Sequence, residues 1–108
     1  MALFQNYHNI NTATNGQNIP LAYRGDNASS IKFISICNTD THDIIISLQL
    51  LNNLNVGFYI LRKVVIPNGV TLLLNDRNIL SFDNSLDGYS LNLIFEGATS
   101  TADVVIKR

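Results

Sequence analysis

The chain has 108 residues, 46% of them hydrophobic and 14% charged, with seven Lys+Arg against eight Asp+Glu for a net charge of −1. That length makes one domain rather than two, and the apolar fraction is enough for a packed core, unlike that of charged, apolar-poor disordered chains. Charge this balanced, with no basic half or cationic run, excludes nucleic-acid or anionic-membrane binding driven by bulk electrostatics.

A single cysteine, Cys37, rules out an intramolecular disulfide and leaves too few thiols for a cysteine-based zinc site. The opening MALFQNYHNI lacks the basic and apolar regions of a signal peptide. No apolar run approaches the roughly 18 residues of a membrane span, so the expectation is a soluble domain made inside the cell. Asparagine recurs along the whole chain. It suits turns and left-handed positions, and an AT-rich genome would produce the same bias.

Residues 1–20 are polar and rich in Asn and Thr, with few large apolar side chains, chiefly Leu3, Phe4, Tyr7, Ile10 and Ile19. The stretch 11–18 has too little apolar surface for a buried element. The segment 1–20 therefore reads as an extended arm, mobile alone or ordered only against a neighbour, where Leu3, Phe4, Tyr7 and Ile10 would be its anchors; the alternative is a disordered terminus with no partner. The domain proper is expected over 21–108.

From Leu21 onward the period becomes two. Ile34 and Ile36 share one face, with Cys37 pointing the other way. After the hairpin-type turn 38–43, Ile44, Ile46, Leu48 and Leu50 alternate with Asp43, Ser47 and Gln49. Phe58 to Ile66 is a further strand, ended by the turn Pro67-Asn68-Gly69. Val70, Leu72 and Leu74 share a face, and a short strand is expected at Ile79–Phe82. After a loop at 83–88, Tyr89, Leu91, Leu93 and Phe95 alternate with polar residues, and the chain closes with Ala102, Val104 and Ile106. About seven or eight short strands at such spacing specify an all-β fold, an antiparallel β-sandwich that is jelly-roll-like or immunoglobulin-like. Ile45 and Leu73 lie on the outward faces of runs that are apolar on both sides. They are either ordinary exposed side chains or subunit contacts. The aliphatic run 44–47 should sit inside a sheet or under a partner.

No catalytic, cofactor-binding or metal-ligating set stands out. There is no Gly-x-Ser-x-Gly and no Gly-x-Gly, and Cys37 within its strand reads as a small core thiol. His42 reads as a solvated turn histidine beside Asp40 and Asp43, and His8 lies in the polar arm. The stretch 83–88 imitates half of a calcium loop, but Ile94 stands where the bidentate Glu belongs, so a turn closed by Asx hydrogen bonds and Gly88 is the better account.

The order of signals resembles small β-sandwich virion structural proteins of tailed bacteriophages, particularly those of marine bacteria and cyanobacteria. The residues that carry the resemblance are Ile34-Ser35-Ile36-Cys37-Asn38-Thr39, the aliphatic strand 44–50, and Tyr59-Ile60-Leu61-Arg62-Lys63-Val64-Val65-Ile66-Pro67, followed by 70–80 and 102–106. Two departures stand out: Tyr23-Arg24-Gly25-Asp26-Asn27 replaces the usual Pro-x-Gly turn, and the arm has no counterpart. The resemblance implies a non-enzymatic, multi-copy component of a virus particle, a capsid decoration or head–tail accessory protein. Its partners would be other virion proteins and further copies of itself, with neither nucleic acid nor membrane. The competing expectation is a lectin-like module for host-surface glycans, using Tyr23, His42, Tyr89 and the Asn/Asp turns, with an enzyme third.

Overall fold

Strands that alternate apolar and polar residues have two unlike faces, and two such sheets hide their apolar faces by packing on each other. A computed structural model describes residues 5–13, 16–25, 31–80, 82–97 and 100–107. Over these residues the chain is an antiparallel β-sandwich. Its strands are β1 (Gln5–Ala13), β2 (Gln17–Ala22), β3 (Phe33–Asn38), β4 (Ile44–Leu51), β5 (Gly57–Ile66), β6 (Thr71–Leu74), β7 (Ser90–Glu96) and β8 (Ser100–Lys107), with one helical turn, α1 (Arg77–Leu80).

The two four-stranded sheets have the orders β1-β8-β3-β6 and β2-β7-β4-β5. Each strand of the first half pairs with its mirror in the second: β1 with β8, β2 with β7, β3 with β6 and β4 with β5. The chain is one long folded hairpin, and the further pairings β3–β8 and β4–β7 wrap it around the core. Of the two sandwich types the sequence left open, this winding is the jelly roll.

The core is built from the expected faces. Ile34, Ile36, Ile44, Ile46, Leu48, Leu91, Leu93, Phe95, Ala102, Val104 and Ile106 are all buried. The aliphatic run on β4 is flanked by β5 and β7, so neither of its backbone edges is open.

Four expectations need correction. The N-terminal segment is extended, but its described part is woven into the sandwich. Pairing runs from Gln5↔Lys107 to Ala13↔Ser100 in β1 and from Gln17↔Phe95 to Ala22↔Leu91 in β2, across the boundary expected at residue 20. Both are edge strands with a register shift, a position that tolerates polar side chains and also Pro20, which has no amide hydrogen to donate. Ile10, expected as a partner anchor, is part of this chain's own core. The short strand expected at 79–82 gives way to α1. Asp76 Oδ1 accepts from the Asn78 amide at 2.9 Å and the Asp76 carbonyl from the Leu80 amide at 3.1 Å, a capped turn that swings Leu80 into the core. Cys37 is half-buried on the outer face, level with Thr71 and Asp103, and not in the core.

Candidate functional site

The loops gather at the two ends of the sandwich, and a buried asparagine organises each end. At the first, Asn38 Nδ2 donates to the carbonyls of His42 (2.9 Å) and Ile66 (2.8 Å), and its Oδ1 accepts from the Asp40 amide (2.8 Å). Asp40 accepts from the amides of Thr41 (2.7 Å) and Thr101 (2.9 Å). The bond from Thr41 above all, aided by the neighbouring His42 and by Thr101, holds the Asp40 carboxyl below its ordinary 3.8 despite some desolvation. The His42 ring lies 3.3 Å from Asp40 Oδ1 through Nε2 and 2.8 Å from the Asp43 carbonyl through Nδ1, which makes it a fixture of the turn.

At the opposite end, Asn84 Nδ2 donates to the carbonyls of Tyr23 (2.9 Å) and Tyr89 (2.8 Å), and its own carbonyl accepts from the Gly25 amide (2.7 Å). The loop 83–88 is the Asx-closed turn that its sequence suggests. Ser85 donates to Asp83 Oδ1 at 3.0 Å, and this bond holds the Asp83 carboxyl below 3.8. Gly88 passes so close to the Asp83 carbonyl that a Cβ would lie 2.2 Å from it. The turn between β4 and β5 is closed by Asn52, whose Oδ1 accepts from the amides of Leu54 and Val56, both at 2.9 Å, while Asn55 takes a left-handed φ of 60°. Arg24 Nη1 donates to the Asn52 carbonyl at 2.8 Å and ties this turn to the loop after β2.

Between these loops, on the outer face of the β2-β7-β4-β5 sheet, lies an open groove of about 450 Å³. Pro20, Ser90 and Asn92 come from its strands, and Tyr23, Arg24, Asn55 and Leu86 from the surrounding loops. Asn92 is only 5% exposed.

The residues singled out from sequence do not form one site. Tyr23 and Tyr89 share the groove end, where Tyr89 packs edge-on against Phe58 with ring centroids 6.3 Å apart. His42 is at the other end, beyond the full length of β4. Ile45 is half-buried on the outer face of its sheet, opposite Val65 and Glu96, and Leu73 is exposed on edge strand β6 of the other sheet. One flat contact cannot cover both. Tyr7 pairs through its backbone with Val105, and Leu3 and Phe4 lie outside the described residues.

Sequence reasoning missed Arg24, Asn55, Ser90 and Asn92, which meet only through the winding. It also missed the exposed apolar row Leu54, Val56, Phe58 and Tyr59, whose signal was apolar residues clustered at a turn, out of step with the alternation. Among the described residues no three His, Cys, Asp or Glu side chains converge on a metal-sized site, and no helix is long and apolar enough to cross a membrane. No protein-family model, curated protein or solved structure matches the chain.

Proposed function

We propose that the chain is a non-enzymatic structural component of a bacteriophage virion, carried in many copies as a capsid decoration or head–tail accessory protein. The observation that carries this reading is the apolar row from the β4–β5 turn along edge strand β5. Leu54, Val56, Phe58, Tyr59 and Val65 are all exposed. Monomeric proteins rarely gather so many exposed large apolar side chains on one turn and its edge strand. Its aromatic rings, together with Arg62 stacked 5.5 Å from the Tyr59 ring centroid, are the residue types enriched where proteins meet.

The same strand is poorly suited to adding another strand at its edge. Register shifts at 46–49 and a left-handed Lys63 interrupt its ladder, and Arg62 and Lys63 put charge along it. Side chains, and not backbone pairing, therefore make the contact with neighbouring copies and with capsid or head–tail proteins. The assembly role passes from residues 1–20, whose described strands belong to the sandwich, to this edge. The jelly roll fits the reading, being an architecture of viral capsid domains and of lectins.

The test is quantitative mass spectrometry of purified particles of a phage that encodes the chain. A copy number compatible with the particle's symmetry is the expected result. Absence from the particle overturns the reading.

A further inference from the structure

We propose that the groove between Tyr23 and Asn92 binds a neutral saccharide, a role that goes beyond particle building and does not depend on it. The first observation is Asn92. Its amide opens into the groove although the residue is 5% exposed, and among the described residues its one side-chain hydrogen bond is a long one, 3.4 Å to Ser90 Oγ. A primary amide offers two donors and an acceptor with two lone pairs, and buried polar groups in native proteins are paired. The unused capacity here faces a groove, where a hydroxyl-rich ligand can satisfy it.

The other lining groups fit the same ligand. Ser90 contributes a hydroxyl and Asn55 a second amide, so the lining offers both donors and acceptors to sugar hydroxyls. Tyr23, 66% exposed, supplies a flat apolar face with a polar tip, the surface on which the C–H side of a sugar ring rests. Tyr23 and Arg24 are already held, Tyr23 through its carbonyl by Asn84 and Arg24 through its bond to the Asn52 carbonyl, so little ordering of these two residues remains for binding. Among the described residues the lining is uncharged apart from Arg24, one of whose N–H groups donates to the Asn52 carbonyl, and its amide, hydroxyl and phenol groups are those that pair with the hydroxyls of a neutral ligand. The volume of about 450 Å³ lies within the range of small-ligand sites. His42, at the far end, has no part in it.

The test uses the full chain, first on an array of neutral glycans and then, with the best neutral hit, by ¹⁵N–¹H NMR titration. Glucuronate and inorganic phosphate serve as anionic probes. The expected result is shift changes confined to 23–24, 55, 86 and 90–92, with binding about tenfold weaker in Asn92→Ala and in Tyr23→Ala. Tyr23 is exposed, so its variant keeps the fold and decides the matter if Asn92→Ala does not. No neutral glycan bound, shifts elsewhere on the sandwich, a stronger response to glucuronate or phosphate, or undiminished binding in Tyr23→Ala would each overturn the proposal.

Discussion

An Asn84→Ala substitution removes an amide that donates two hydrogen bonds, to the Tyr23 carbonyl at 2.9 Å and the Tyr89 carbonyl at 2.8 Å, from a side chain 3% exposed. Each such bond is worth about 0.5–1.5 kcal/mol net, and carbonyls left without a donor add to the loss, so the expected cost is about 2–3 kcal/mol. For a small domain that corresponds to a drop in Tm of roughly 10–15 °C. Urea titration followed by circular dichroism reads it as a lower midpoint at unchanged m-value. The comparison is Asn53→Ala, in the exposed turn between β4 and β5, which should stay within about 0.5 kcal/mol of the parent. If the two variants are equally stable, this amide does not hold the loops. The asparagine bias would then be compositional and not structural.

Two further outcomes follow from local geometry. Gly69→Ala meets open space at a φ of 75° and should cost about 1 kcal/mol, whereas Gly88→Ala drives a Cβ to 2.2 Å from the Asp83 carbonyl and should cost about 3 kcal/mol; thermal unfolding ranks them. Asp40 and Asp83 both sit below 3.8 in the folded chain, because backbone amides donate to their carboxylates, so protons bind the unfolded chain more readily. The stabilisation is then full above the unfolded value and disappears as pH falls through the folded ones. Urea midpoints should hold from about pH 7 to about pH 5 and decline below about pH 4, less steeply in an Asp40→Asn, Asp83→Asn double variant.

The central strands were legible because burial on one face imprints a period of two. Ile44, Ile46 and Leu48 announce β4, and Ala102, Val104 and Ile106 announce β8. An edge strand carries less of that imprint. β1 is held by its pairing with β8, information that lies at the other end of the chain and not in its own polar composition. The helical turn at 77–80 depends on one capping residue, Asp76, too brief a signal for any periodicity. Ser47 shows the same limit. It is a polar, outward-phase residue on β4, yet it is buried, because its hydroxyl donates to Glu96 and accepts the Lys63 amide at 2.9 Å where β5 bulges. The groove was the least legible feature. Asn92 read as one more polar residue in an alternating strand, and only the meeting of separate loops turns it into a floor.

The nested pairing also orders events in time. Among the described strands β1 has one partner, β8, and β8 also joins β1 to β3 at the middle of its sheet. On a ribosome, β4 and β5 can meet as soon as their turn emerges, but the first sheet has no centre until β8 has been made. β1 must stay unpaired until β8 has been made, the kind of delay that slows folding and exposes strands to other chains. A polar, Asn/Thr-rich opening suits that wait, since it keeps in solution a segment whose partner does not yet exist.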